Sequence, residues 1–297
     1  MNKLGVHALV WEAGWSHEEC ARAIARSAEV GYDYIEAPAL DPSLIDPDFT
    51  RRQLEKHGIG INFSLGLDFA SDISSGDREK GRRGKAKLEE AIAVCRDCGS
   101  WYVGGILHSA FGKYTTPTTA AGVAQSADIL RQVAETAVRS GITLALEVVN
   151  RYESNVLNTA AQGVEMCSRI GAPNVKVHLD VYHMNIEESD IPAAILETGD
   201  YLGYFHTGDS HRGYMGSGTI DLAGVFRALV RSGYEGPITL ESFSSRVVGQ
   251  PLEGILGIWR NLWEDGYDLA SHALMYTRAQ LKAAQEAQKQ AERSRLP

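Results

Sequence analysis

Short apolar runs rich in β-branched residues alternate along the chain with longer segments of helical periodicity. A short run that is apolar throughout is typical of a strand buried on both faces, whereas apolar residues spaced three and four apart indicate a helix with one buried face. Strands are therefore predicted at residues 4–10, 34–37, 60–65, 102–106, 143–148, 175–179, 202–206 and 238–241. Helices are predicted between them at residues 16–30, 48–57, 78–97, 119–140, 159–170, 191–198 and 222–232.

This regular alternation predicts a parallel sheet with helices outside it, and eight strands are the number in a closed (β/α)8 barrel. The alternative, a doubly wound open sheet, normally carries a Gly-rich phosphate-binding turn after its first strand. The residues found there are Trp11-Glu12-Ala13-Gly14-Trp15, which lack that pattern. We therefore predict an α/β fold of the TIM-barrel type, with a single domain in residues 1–278. Residues 279–297, rich in Ala, Gln, Lys and Glu, are predicted to form a helical tail, exposed or used in subunit contact.

Composition narrows the classes of partner. The 297 residues carry a net charge of -9, which disfavours nucleic acids and anionic membranes because both require a basic face. The first residues lack the basic and apolar regions of an export signal, and no apolar run approaches the roughly 20 residues that span a bilayer. Four scattered cysteines are too few for a disulfide framework. We therefore expect a cytoplasmic protein that acts on a small molecule.

Polar side chains close four consecutive predicted strands, the fifth to the eighth. They are Glu147, Asp180, His206 and Glu241. One such residue alone commonly caps the next helix, but in a barrel the four strand ends meet at one mouth, where active sites lie. Three carboxylates brought together there are unfavourable unless protons or a cation neutralise them. Because an oxygen-rich set with one imidazole suits Mn²⁺, Mg²⁺ or Co²⁺, we predict that these residues bind one divalent metal ion.

The loops after these strands carry further candidate groups. Glu153 follows the fifth strand, His183 the sixth and Arg212 the seventh. A lone histidine is more often a core residue than a functional one, but three such groups beside a metal indicate a binding site. We therefore predict that they contact a ligand of the metal.

The same stretches resemble the ketose 3-epimerases, the family of D-tagatose, D-allulose and L-ribulose 3-epimerases among the xylose-isomerase-like TIM barrels. The resemblance is carried by Leu146-Glu147-Val148-Val149-Asn150-Arg151-Tyr152-Glu153, by Leu179-Asp180-Val181-Tyr182-His183-Met184-Asn185-Ile186-Glu187-Glu188, by Phe205-His206 with Arg212, and by Glu241-Ser242-Phe243. It extends from the first strand to Gly257-Ile258-Trp259-Arg260, which is nearly the whole chain.

The resemblance implies a role for each matching position. The four predicted metal ligands would bind Mn²⁺ or Co²⁺, with Mn²⁺ expected first, and Glu153, His183 and Arg212 would hold the O1 to O3 end of a ketose. The far end of the sugar would be lined by His7, Trp15, Ser64, Ile106 and Phe111. Several relatives carry an aromatic residue in place of His7, a small thiol in place of Ser64 and a tryptophan in place of Phe111, so the preferred ketose stays open. The resemblance also implies a homodimer or homotetramer.

The implied reaction inverts C3 of a free ketose, such as D-allulose, L-ribulose or D-tagatose, through a cis-enediolate. A cation near the C2 carbonyl acidifies the C3 proton, and inversion requires proton transfer on both faces. Because the fifth and eighth strands lie well apart around the barrel, Glu147 and Glu241 are the predicted acid/base pair. An aldose–ketose isomerase, a hydroxypyruvate isomerase and an inosose dehydratase share the four-ligand pattern and remain alternatives. A non-catalytic sugar-binding module would not explain the acid/base pair.

Overall fold

The computed structural model describes residues 2–294, which contain eight strands and ten α-helices. The strands are all parallel and close into a barrel in sequence order, with the first strand paired to the eighth. They are β1 (Leu4–His7), β2 (Tyr34–Pro38), β3 (Gly60–Leu67), β4 (Tyr102–Ala110), β5 (Thr143–Glu147), β6 (Val175–Asp180), β7 (Leu202–Thr207) and β8 (Ile238–Leu240). The predicted TIM barrel is confirmed.

Helices follow the strands, and most of them connect one strand to the next on the outside of the barrel. They are α1 (His17–Val30), α2 (Pro47–His57), α3 (Arg78–Asp97), α4 (Ala120–Arg139), α5 (Ala160–Ile170), α6 (Val181–Glu187), α7 (Ile191–Thr198), α8 (Leu222–Arg231), α9 (Leu252–Leu256) and α10 (Gly266–Arg293). Side-chain caps explain several of the starts: in α1, Ser16 and Glu19 form a reciprocal capping box. Gly31 ends the same helix in the left-handed conformation, with φ of 99°, which glycine adopts without a Cβ penalty.

The helix α9 and residues 266–278 of α10 were not predicted, and two further differences lie beside the strand ends. The first strand was predicted to extend to residue 10, but it ends at His7 because Ala8–Val10 form a 3-10 turn. The Nδ1 atom of His7 accepts a hydrogen bond from the backbone N–H of Leu9, at 3.2 Å, and this contact stabilises the turn. The second difference is α6, which was not predicted, and which begins directly after β6 because Asp180 accepts a bond from the backbone N–H of Tyr182.

The predicted C-terminal tail is part of α10, a continuous helix of 28 residues. Leu281 and Ala284 of this segment are buried in the main hydrophobic core. Residues 295–297 of the predicted tail lie outside the described residues. The division into a barrel of residues 1–278 and a tail of residues 279–297 stays a prediction.

The main core lies between the barrel and its helices, and a second, smaller core lies inside the barrel. Phe205 and Phe226 are among the fully buried residues of the main core. Tyr34, Ala145 and Tyr204 form the inner cluster, which closes the barrel below its mouth. The four cysteines are buried and unpaired. Among residues 2–294, no helix has the length and apolar character needed to cross a membrane.

Candidate metal centre and active site

The four predicted metal ligands come together at the carboxyl ends of β5 to β8. Glu147 and Asp180 are the last residues of β5 and β6, His206 lies in β7, and Glu241 directly follows β8. Asp180 and His206 are paired in the parallel register. One potential ligand atom from each residue lies within 4.8 Å of all the others. The side chains are nearly excluded from solvent, so the cluster can hold a metal ion in a site of low dielectric.

The Nδ1 atom of His206 is the strongest evidence that these residues fit a cation. It lies 3.7 Å from Glu147 Oε1, 3.6 Å from Asp180 Oδ2 and 3.4 Å from Glu241 Oε2. It is buried, and it has no hydrogen-bond partner. A buried polar atom without a partner requires an explanation, and three carboxylate oxygens around it form the donor set of a hard divalent cation.

Arg212 reaches the same carboxylates from the loop after β7. Its Nη1 atom lies 2.9 Å from Asp180 Oδ2 and 2.5 Å from Glu241 Oε2. The guanidinium carbon lies 4.2 Å from the ring centre of Tyr182 and 5.1 Å from that of Phe243, so aromatic faces hold it on two sides. Arg212 therefore places fixed positive charge beside the predicted metal ligands.

The backbone of Arg212 is unusual as well. With φ of 61°, it is the only residue other than glycine among residues 2–294 in the left-handed region, a conformation that persists where the surroundings enforce it. Its N–H donates to the carbonyl oxygen of Asp209, at 3.0 Å, and the Ser242 hydroxyl donates to its carbonyl oxygen.

His183 and Glu153 are positioned by Asn150. The Nδ1 atom of His183 lies 3.2 Å from the backbone N–H of Asn150 and 2.8 Å from its side-chain amide nitrogen. Since both of these groups donate, Nδ1 must accept, and the proton of the neutral ring lies on Nε2. The same amide nitrogen donates to Glu153 Oε1 at 3.0 Å. His183 Nε2 faces oxygens of Glu147, Glu153 and Asp180 at 3.8 to 3.9 Å, so it can donate to a ligand among them.

The surroundings separate the pKa values of the buried carboxyls. Burial raises the pKa of Glu147 well above its ordinary value. His206 acts in the opposite direction, and the negative charges of Glu241 and Asp180 raise the pKa further. Burial also opposes ionisation of Asp180 and Glu241, but nearby cations, Arg212 above all, outweigh it and lower the pKa of both. A divalent cation bound among these carboxyls would oppose the effect of burial and lower the pKa of Glu147.

Comparison with known proteins identifies the family. The family model described as a xylose isomerase-like TIM barrel matches residues 24–269. A ketose 3-epimerase of Arthrobacter globiformis is 44% identical over 95% of this chain and 97% of its own length. The chain belongs to the ketose 3-epimerases. An L-ribulose 3-epimerase of Methylomonas sp. (strain DH-1) is 43% identical over 92% of this chain and 95% of its own.

A solved structure supports the same assignment. The crystal structure of a D-allulose 3-epimerase from Methylomonas sp. in complex with D-allulose has a TM-score of 0.92 and 42% identity, covering 94% of this chain and 97% of that chain. The family resemblance expected from the sequence is confirmed, and the protein is a carbohydrate epimerase.

A cavity opens at the predicted metal ligands of the epimerase, at the barrel mouth where small-molecule sites of this fold lie. Its ionisable lining residues, other than His7, are Glu147, Glu153, His183, Arg212 and Glu241. The rest of the lining is mostly apolar and consists of His7, Leu9, Pro38, Leu40, Ser64, Leu65, Gly66, Gly105, Ile106, Phe111, Phe243, Leu252 and Leu256. The cavity thus joins a charged cluster to an apolar wall.

Four of the five residues predicted for the far end of the sugar line this cavity: His7, Ser64, Ile106 and Phe111. Trp15 does not. Its indole is buried in the main core, and its N–H donates to the Thr50 hydroxyl of α2 at 3.3 Å. Trp15 therefore packs the interface of α1 and α2, and the structure does not bring it to the site.

Besides apolar lining residues of the cavity, sequence reasoning missed two polar residues beside the candidate site, Asn150 and Glu36. Asn150 lies in the motif between Glu147 and Glu153, so its position was the available signal. Glu36 is buried in β2, where it contacts His206 Nε2. A charged residue within the apolar run Tyr34-Ile35-Glu36-Ala37 was the signal for it, because buried carboxylates are rare without a partner.

Proposed function

We propose that this epimerase inverts C3 of free ketohexoses and ketopentoses with one divalent metal ion per subunit, Mn²⁺ first, held by Glu147, Asp180, His206 and Glu241. The unpartnered His206 Nδ1, facing three carboxylates, is the observation that carries the metal assignment. When bound, the cation would polarise the C2 carbonyl and so acidify the proton on C3. By family resemblance we also infer a homodimer or homotetramer.

Glu147 and Glu241 are the proposed acid/base pair. They stand on β5 and after β8, with β6 and β7 between them in the closed strand order. Their carboxylates therefore reach the same cavity from separate parts of its rim. One carboxylate removes the C3 proton and the other returns a proton to the opposite face, with the configuration of the substrate deciding which acts first.

Three further side chains bind and orient the reacting end of the ketose. The Nε2–H of His183 donates to a sugar oxygen, since Asn150 occupies Nδ1. Glu153 accepts from a sugar hydroxyl. Arg212 places positive charge beside the oxyanion that develops at O2 as the proton leaves C3.

A polar pair on the apolar wall supports selection among ketoses. His7 Nδ1 accepts from the backbone of Leu9, so the neutral ring carries its proton on Nε2 and donates to Ser64 Oγ at 3.2 Å. The Ser64 hydroxyl is then free to donate its own proton to a hydroxyl at the far end of the sugar. D-allulose and D-fructose, L-ribulose and L-xylulose, and D-tagatose and D-sorbose are the proposed pairs. A chromatographic panel of these sugars with Mn²⁺ ranks them by kcat/KM.

Deuterium incorporation from D₂O tests the reaction itself. If two carboxylates act on C3, the returning proton comes from a group that exchanges with water, and each inversion installs deuterium at C3. Proton NMR of recovered sugars should show progressive loss of the H3 signal while both H1 signals stay intact. Exchange confined to C1 would indicate a 1,2-isomerase and would overturn the proposal.

A further inference from the structure

Below the metal ligands, a series of hydrogen bonds runs through the inside of the barrel, with Glu36 at its centre. The two oxygens of Glu36 lie 3.1 and 3.0 Å from His206 Nε2. Oε2 also accepts from the Tyr204 hydroxyl at 2.6 Å, and the Tyr204 oxygen lies 2.9 Å from Thr239 Oγ1. Glu36 is 1% exposed and His206 is fully buried, so water does not compete for these contacts.

This arrangement determines which nitrogen of His206 carries the proton. An ionised carboxylate can only accept, so Nε2 must be the donor to Glu36. In the neutral ring, Nδ1 then presents a free lone pair, which is the form that binds metals. Nδ1 is the nitrogen that faces the three predicted carboxylate ligands.

We propose that Glu36 is a positioning residue of the metal centre, holding His206 in the tautomer and ring orientation that present Nδ1 to a divalent cation. Tyr204 holds Glu36 in turn. The inference rests on the proposed metal-dependent function, but it assigns a role to a side chain on β2 outside the ligand set. Removal of such a carboxylate partner typically weakens metal binding by about 10- to 100-fold.

Calorimetric titration of the metal-free enzyme with Mn²⁺ tests this role without relying on activity. Glu36→Gln keeps the side-chain shape but replaces one acceptor oxygen with a donor, so we expect the Kd to rise about 10- to 100-fold. Tyr204→Phe leaves the contact between Glu36 and His206, so the Kd should rise by a smaller factor. Glu36→Gln also removes a negative charge near the cation, which by itself raises the Kd, so the position of the His206 proton needs a direct measurement as well.

The chain offers a matched control in Asp72. This buried carboxylate also accepts from a tyrosine hydroxyl, that of Tyr114, at 2.7 Å, but it contacts no metal ligand. Asp72→Asn should leave the Kd for Mn²⁺ unchanged. If Glu36→Gln folds and binds Mn²⁺ as tightly as the wild type, the inference is wrong, whereas failure of the wild type to bind Mn²⁺ would contradict the proposed function instead.

A second measurement needs no variant. In the Mg²⁺-loaded wild-type enzyme, ¹⁵N NMR of the imidazole should place the His206 proton on Nε2. A proton on Nδ1 would overturn the proposal even if Glu36→Gln did not fold.

Discussion

Glu147 and Glu241 belong to strands with two others between them, yet their carboxylates lie within 4.8 Å of each other. The variants Glu147→Gln and Glu241→Gln replace each carboxylate with an uncharged amide of the same shape. An amide cannot take up a proton from carbon, so we expect kcat to fall at least about 100-fold in either variant. The measurement is kcat at saturating Mn²⁺, with circular dichroism to verify the fold.

An exposed carboxylate provides the control for these variants. Glu165 lies on the outside of α5, so Glu165→Gln should have wild-type kcat. Near-normal turnover in Glu147→Gln or Glu241→Gln would remove that residue from the acid/base pair.

Asn150 acts on substrate only through its neighbours, and this makes its variants informative. Asn150→Ala removes the side-chain donor to His183 and Glu153 and keeps only the backbone N–H that donates to His183. Asn150→Asp replaces the side-chain donor with an acceptor, which would draw the His183 proton to Nδ1 and leave Nε2 unable to donate. Because a small misplacement of such groups can cost on the order of 10²-fold in rate, we expect kcat/KM to fall by that order, and further in the aspartate variant than in the alanine variant.

Asn158 is the matched amide for this experiment. Its side chain donates only to backbone carbonyls, those of Val149 and Ser154, in the same loop. Asn158→Ala should therefore lower stability without changing the order of magnitude of kcat/KM. Equal kinetic losses in the Asn150 and Asn158 variants would show that loop structure, and not the orientation of His183, is responsible.

The sequence predicts a site residue only when a local pattern marks it, and not when its role depends on a distant partner. Glu147, Asp180, His206 and Glu241 could be predicted because each one closes an apolar run, and barrel geometry brings such ends together. Glu36 stands out as a charged residue in an apolar run, but its role could not be predicted, because its partner His206 is 170 positions away and the contact depends on closure of the barrel. The sequence also did not indicate that Trp15 turns toward α2 and away from the cavity.

The loop between β7 and α8 fixes the position of one functional side chain, that of Arg212. The buried carboxylate of Asp209 accepts from the N–H groups of Ser210 and Gly216, each at 2.7 Å, and so joins the two ends of the segment that contains Arg212. Arg212 needs this support, since a left-handed conformation costs a residue other than glycine of order 1–3 kcal/mol.

Asp209→Asn tests the support of this loop. The amide nitrogen would face one of the two N–H groups, and a buried donor without an acceptor costs about 1–3 kcal/mol. We expect kcat/KM to fall about 10-fold or more, as Arg212 loses its fixed position. Asp221→Asn is the control, because Asp221 caps α8 by accepting from Gly224 and does not contact Arg212. The test is to measure steady-state kinetics and an unfolding curve for each variant. Wild-type kinetics in Asp209→Asn would contradict the role of Asp209 in holding Arg212.

At the scale of the elements, the hydrophobic pattern was sufficient for the order of strands and helices but not for every boundary. The residues of α6 mix polar and apolar side chains over only two turns, which is too short for periodicity to be recognised. β1 was predicted too long because Ala8–Val10 are as apolar as the strand before them. The side chain of His7 ends the strand there, and apolar composition does not contain that information.

For the whole molecule, the metal links activity to stability. Chelation should abolish turnover, and added Mn²⁺ or Co²⁺ should restore it, because the carboxylates alone cannot polarise the substrate carbonyl. A cation that binds only the folded state should also stabilise it, by about 2.7 kcal/mol at a concentration of 100 times the Kd. Thermal unfolding of the chelated enzyme with increasing Mn²⁺ measures this as a rising Tm. Full activity in a metal-free sample, with no shift in Tm, would contradict the site assignment.

The polar interior of the barrel has a consequence for laboratory evolution. Buried ionic groups can often be replaced by apolar side chains of similar volume with no loss of stability, and sometimes with a gain. A heat-challenge screen would therefore favour variants in which Glu36, Tyr204 and His206 are all replaced by aliphatic residues, and these variants would fold without being able to hold a metal ion. Libraries for more stable catalysts should keep these three positions constant and place diversity on the outer faces of the helices, where selection for heat resistance and selection for turnover do not conflict.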